Sequence, residues 1–136
     1  LGHVRLLLAD YEGARLAHER ALAIKEATLG ADHPSLAFAL NGLGEALHAL
    51  GEHDAAIAHL TRAVAIRSAK GVAPNLLAHS RFALAKVLWD APRDEGRDRT
   101  HAHALASQAR DEFATEGERA TGDLASVETW LRAHPL

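Results

Sequence analysis

Ten histidines stand among 136 residues, and metal binding is the first chemistry they could serve. Their spacing argues against it. His101 and His103 are two apart, which on a helix points them to nearly opposite sides. His18-Glu19 lacks the second histidine, three residues past the glutamate, that a zinc-protease helix requires. His48 and His53 straddle Gly51, and His33 lies in a linker, where packing or capping a turn is the plainer role. Nucleophilic chemistry has no better support. There is no cysteine, and Ser35, Ser68, Ser80, Ser107 and Ser126 lie in helical patterns without the Gly-x-Ser-x-Gly elbow of a hydrolase. Gly42-Leu43-Gly44 also falls inside a helical pattern, where close packing explains it better than a phosphate does. We therefore expect no metal, no cofactor and no enzyme. What remains is a stripe of polar and aromatic residues, Phe38, Asn41, Glu45 and His48, free for solvent or for a ligand.

That stripe belongs to residues 36–67, the best-patterned stretch of the chain. Leu36, Leu40, Leu43, Leu47 and Leu50 recur by threes and fours, as one face of an α-helix requires. Ala39, Gly42, Ala46 and Ala49 form a small-residue stripe beside them, which lets a neighbouring helix come close. Gly51 breaks the pattern, and a second helix runs through Ala56, Leu60, Ala63 and Ile66. The stretch reads as a helix-turn-helix hairpin.

Composition agrees with an all-α chain. Hydrophobic residues make up 48% and aromatic residues 4%, whereas β proteins lean on aromatic and β-branched side chains. The net charge is -3, and the basic residues are interspersed with acidic ones, so nucleic-acid binding is not expected. No apolar run approaches the roughly 18 residues of a membrane span; no membrane association is expected, and a cytoplasmic location is. The chain has no methionine and begins with a leucine inside a repeat, which suggests a fragment of a longer protein. The excess of Arg over Lys and the abundance of Ala form a bias common in bacteria with GC-rich genomes, so a bacterial source is expected.

The hairpin is repeated. Leu1-Gly2 falls over Leu43-Gly44 at a shift of 42 residues, which also sets Ala14 on Ala56, Ala21 on Ala63 and Leu22-Ala23-Ile24 on Val64-Ala65-Ile66. A third copy begins at Leu84-Ala85, with Leu88 matching Leu47. It slips by about five residues before Ala102 and Ala109, so an insertion lies within the polar run 93–99. The linkers Gly30-Ala31-Asp32-His33-Pro34 and Gly71-Val72-Ala73-Pro74 each offer a glycine for the left-handed position past a helix end and a proline for the next first turn; Asp32 is expected to cap. Helices are predicted at 1–8, 11–29, 34–50, 53–70, 75–90, 100–116 and 121–133. They make one domain: a truncated repeat 1–31, a repeat 32–72, a repeat with insertion 73–117, and a capping helix 119–134. In that last helix Leu124, Val127 and Leu131 form a single apolar stripe, as the end of a stack demands.

Leu43, Gly44, Leu47, Ala56, Leu60 and Ala63 resemble the tetratricopeptide repeat pattern. Copy one keeps Leu1, Gly2, Ala14 and Ala21, with Arg5 and His18 at two of the large positions. Copy three keeps Leu84, Leu88, Ala102 and Ala109, with Ala85 in place of the glycine. The 42-residue period and the linker Leu-Gly-x-Asp-His-Pro at 29–34 are similar to the kinesin-light-chain-type repeats of bacterial multidomain proteins. The resemblance implies a right-handed α-α superhelix of about three hairpins with a C-terminal capping helix. It also implies a concave groove, lined by the first helix of each hairpin, that binds a peptide or partner protein. In repeat register that groove comprises Phe38, Asn41, Glu45 and His48 from copy two, with His79, Phe82, Lys86 and Trp89 from copy three. Asn41 matches the first of an asparagine pair that bonds the peptide backbone in such repeats, while Gly42 replaces the second. Two uses are open for Phe82 and Trp89, seven apart on one helix face: anchors for a partner, or packing against the inserted loop or the last helices. The alternative to a peptide scaffold is self-association through the uncapped N-terminal end, or an intramolecular module attached to a kinase or signalling ATPase.

Overall fold

The computed structural model describes residues 2–69 and 71–136, with side chains from residue 10 onward. It is helical throughout: α1 (Gly2–Leu29), α2 (Leu36–Ala49), α3 (His53–Arg67), α4 (Pro74–Asp90), α5 (Arg99–Thr115) and α6 (Thr121–Ala133), with short 3₁₀ turns at Arg93–Glu95 and Gly117–Ala120. No strand occurs among the described residues. Each helix packs on the next in chain order, and α2 also touches α4. The result is a helical-hairpin solenoid, with α2–α3 and α4–α5 as its hairpins, α1 before them and α6 packed on α5 after them.

The large stripe of α2 is buried as its spacing requires. Leu36, Leu40, Leu43 and Leu47 lie in the core with Ala56, Leu60, Ala63 and Ile66 of α3, while Leu50, at the helix end, is only half-buried. Both α2 glycines sit at close approaches. A Cβ on Gly44 would run into the Cγ of Leu60, and one on Gly42 into the imidazole of His18 from α1. These two contacts differ in what can yield. Leu60 is fully enclosed, whereas His18 is half-buried and presents the far end of its ring. Gly44→Ala is therefore expected to lower stability by about 1–3 kcal/mol through overpacking, despite the roughly 1 kcal/mol gained in helix propensity. Gly42→Ala is expected to be neutral or slightly stabilising. Urea denaturation followed by circular dichroism measures both, and equal effects would show that the two contacts are not distinct.

The linkers follow the sequence reading in part. Gly30, Gly51 and Gly71 take positive φ values of 89°, 82° and 96°, the left-handed conformation that glycine adopts without penalty. Pro74 opens α4. Asp32, by contrast, caps nothing: α2 starts at Leu36, and the His33 ring nitrogen Nδ1 accepts from the Ser35 backbone N–H at 3.1 Å. The imidazole closes the turn ahead of the helix, and α2 itself carries no side-chain cap.

The largest departure is α1, one uninterrupted helix where two were expected. The repeat alignment explains it. At the register of Gly51 the first copy carries Ala9, which pays for a left-handed turn that glycine takes freely, so the helix runs on. As a consequence the first hairpin is open. Ile24 is 61% exposed, although its counterpart Ile66 in copy two is 7% exposed. Leu1 and Lys70, the outer ends of two predicted helices, lie outside the described residues.

Past α4 the polar run 93–99 is absorbed at the turn. Gly96 takes φ 98°, the Asp98 backbone N–H returns to the Leu88 carbonyl at 3.0 Å, and the Asp98 carboxylate accepts from the His101 N–H at 3.0 Å, capping α5. The insertion thus ends α4 and starts α5 without disturbing the stack. Val127 of α6 is fully buried, flanked by partly buried Leu124, Trp130 and Leu131.

Candidate functional site

The helices α2 and α4 lie side by side, and α1 and α6 flank them, so polar residues on one side of four helices share a surface. Its middle is a hollow of about 390 Å³ lined by Tyr11 of α1, Glu45, His48 and Ala49 of α2, and Ala83 and Lys86 of α4. Next to it, between α4 and α6, is a cleft of about 600 Å³ walled by Phe82, Lys86, Trp130 and His134, with Ser126 and Thr129 at its edge. Lys86 borders both. Its ammonium lies 4.5 Å from the Phe82 ring centroid, a cation–π contact that holds the charge between the two hollows. Among the described residues no carboxylate pairs with it.

The eight residues singled out from sequence fall into separate groups. Glu45, His48 and Lys86 line the central hollow, and Phe82 and Lys86 line the cleft. His48 is tied across the seam to Asp90, Nε2 to Oδ2 at 2.8 Å. His79 stands near Asp123 of α6 at 3.4 Å and meets the Phe113 ring edge-on at 5.0 Å. Phe82 and Trp89 pack on the last helix: their centroids lie 6.0 and 5.6 Å from that of Trp130, both edge-to-face. Both rings thus pack on the last helix, and Phe82 also lines the cleft. Trp89 is further enclosed by the Arg99 guanidinium at 4.8 Å and by His134 at 5.3 Å.

Phe38 and Asn41 sit at the N-terminal end of the surface, over a buried cation. Arg67, at the end of α3, is 5% exposed. It donates to the Leu76 carbonyl and to Ser80 Oγ, each at 3.0 Å, and its guanidinium lies 5.0 Å from the ring of Phe38, itself 59% exposed. Burial lowers the Arg67 pKa, and the nearby Glu45 carboxylate partly offsets that. Asn41 bridges the two charges, accepting from Ser80 at 2.8 Å and donating to Glu45 at 2.9 Å.

The family model described as Tetratricopeptide repeat matches residues 1–69, half of the chain. The chain belongs to the tetratricopeptide repeat family. This is a family of non-catalytic repeat scaffolds that generally mediate protein–protein interaction. No curated protein and no solved structure matches the chain. Among the described residues no three His, Asp or Glu side chains gather as a metal ion would need, and no helix is long and apolar enough to cross a membrane.

Sequence reasoning missed four members of this surface: Tyr11, Arg67, Trp130 and His134. Trp130 had a usable signal, since it lies three residues past Val127 and so beside the buried stripe of α6; His134 follows it by four and stacks on it at 4.3 Å. Arg67 had none, because an arginine in the last turn of a helix ordinarily faces water and the helix dipole.

Proposed function

We propose that this tetratricopeptide repeat chain holds a peptide, or an extended segment of a partner protein, along the face shared by α1, α2, α4 and α6. The observation that carries the reading is the pair of adjoining hollows with Lys86 on their common border. One offers polar groups from three helices, and the other offers aromatic walls, the combination on which interface hot spots are built. The 42-residue period and the linker at 29–34 support a kinesin-light-chain-type repeat, and the Arg-rich, Ala-rich composition supports a bacterial source.

The test is selection of peptides from a random display library on the immobilised chain, with affinities then measured by fluorescence polarisation. Lys86→Glu is expected to weaken a selected peptide about tenfold, near 1.4 kcal/mol, with the helical circular dichroism unchanged. Arg20→Glu, on the exposed side of α1, is expected to leave the affinity as it was. Failure to select any peptide, or peptides that bind Lys86→Glu as tightly as the parent, would sink the groove reading.

A further inference from the structure

The carboxamide of Asn41 is engaged at both ends, and counting donors decides which end goes where. Arginine can only donate, and Arg67 gives one of its hydrogens to Ser80 Oγ. The Ser80 hydroxyl is fully buried, so its own single hydrogen needs an acceptor, and Oδ1 of Asn41 lies 2.8 Å away. With the oxygen turned to Ser80, the amide nitrogen faces the Glu45 carboxylate at 2.9 Å, which can only accept when ionised. A flipped amide would set oxygen against carboxylate at one end. At the other it would leave the buried hydroxyl hydrogen without a partner. Serine and carboxylate together hold the amide one way round, and the cation at the end of α3, donating to the serine oxygen, keeps the serine's own hydrogen turned toward Asn41.

We propose that Arg67 and Ser80 are positioning residues for Asn41, a role that rests on the groove reading above. Asn41 has two amide hydrogens and two oxygen lone pairs. The relay uses one of each, leaving one donor and one acceptor on a half-exposed side chain. That pair matches the single N–H and C=O of a peptide group, so the fixed amide suits the backbone of a bound segment rather than any particular side chain. A freely flipping amide would present the reverse arrangement as often.

The sequence makes the test unusually clean. Asn41, Asn75 and Gln108 are the only side-chain carboxamides in the chain, so a ¹⁵N–¹H spectrum of the full chain shows three NH₂ pairs. In the parent, the Asn41 pair is expected to be shifted away from that of exposed carboxamides, with one hydrogen showing cross-relaxation to Glu45. Arg67→Met should move that pair toward the position of exposed carboxamides and weaken the Glu45 cross-peak, and Arg67→Lys, which still donates to Ser80, should restore both. Ser80→Ala deletes only the connecting hydroxyl and should act like Arg67→Met, which keeps the test in hand if Arg67→Met does not fold. A peptide selected on the parent should bind Ser80→Ala about tenfold more weakly. An Asn41 pair unmoved in either folded variant overturns the relay, and a moved pair with unchanged peptide affinity overturns its binding role. If no peptide is selected at all, the groove reading and the binding role fall together, while the spectrum still decides the orientation.

Discussion

Replacing Phe113 by alanine is expected to cost about 3–5 kcal/mol of folding free energy, the range for truncating a buried aromatic side chain, and to lower the melting temperature by roughly 10 °C or more. Phe113 is the largest of the fully enclosed side chains, 1% exposed. It stands on α5, in the core that α4 and α6 share, with the edge-on His79 ring at its rim. Alanine there leaves a cavity that the surrounding helices fill only in part. The family match ends at residue 69, so this substitution probes the half of the chain for which packing alone makes the case. Differential scanning calorimetry and urea denaturation measure it. A loss below about 1 kcal/mol, the level of an ordinary surface change, would mean that α5 does not sit on α4 and α6 as described.

Much of this architecture is written in the sequence, and the reasons differ from element to element. The α2–α3 hairpin is legible because its leucines and alanines sort into two stripes with a glycine at the turn, and burial follows those stripes. The fate of α1 hung on one position. Matching pairs on both sides of the turn suggested a hairpin, yet a helix stops only where the backbone can leave it, and Ala9 stands where copy two has Gly51. The insertion at 93–99 was visible as a slip in register, while its capping by Asp98 was not.

The surface residues were harder to read, because a stripe at helical spacing says which side chains share a face and not what that face meets. Phe82 and Trp89 look alike in sequence whether or not they pack on α6; only the position of α6, set after an insertion, shows that they do. Gly42 is a second case. It departs from the asparagine of the resembled pattern, and the imidazole of His18 stands where a side chain would begin, so a residue larger than glycine there needs that ring to move. That substitution in α2 is coupled to the histidine in α1, 24 residues earlier, which no local pattern relates. Arg67 belongs with these, since only the stacking of α4 on α3 shows that a helix-end cation is buried beneath Phe38.

Trp130→Ala is expected to be the other severe substitution, and its effect should be local before it is global. Trp130 is the hub of the C-terminal aromatic cluster, touching Phe82 and Trp89 edge-to-face and lying flat on His134, with centroids 4.3 to 6.0 Å apart. The His134 ring is further tied to the Trp130 carbonyl at 2.7 Å. Removing the indole takes away the centre of each of these contacts, and α6 retains Val127 as its one fully buried anchor with Leu124 and Leu131 beside it. Truncating a tryptophan costs about 3–5 kcal/mol when it is wholly buried; partial exposure of Trp130 places the expected loss near 3 kcal/mol. Because each unit of a solenoid is held only by its neighbours, that loss should appear first as opening of α6, with amide hydrogens of 121–133 exchanging about a hundredfold faster while those of α2 and α3 keep their protection. The same change removes one wall of the cleft beside Lys86. A peptide that occupies the cleft should then bind Trp130→Ala at least tenfold more weakly, and one confined to the hollow of Tyr11, Glu45 and His48 should not notice it. Uniform loss of protection across α2 to α6 would instead make the chain one cooperative unit, with α6 a full member of its core.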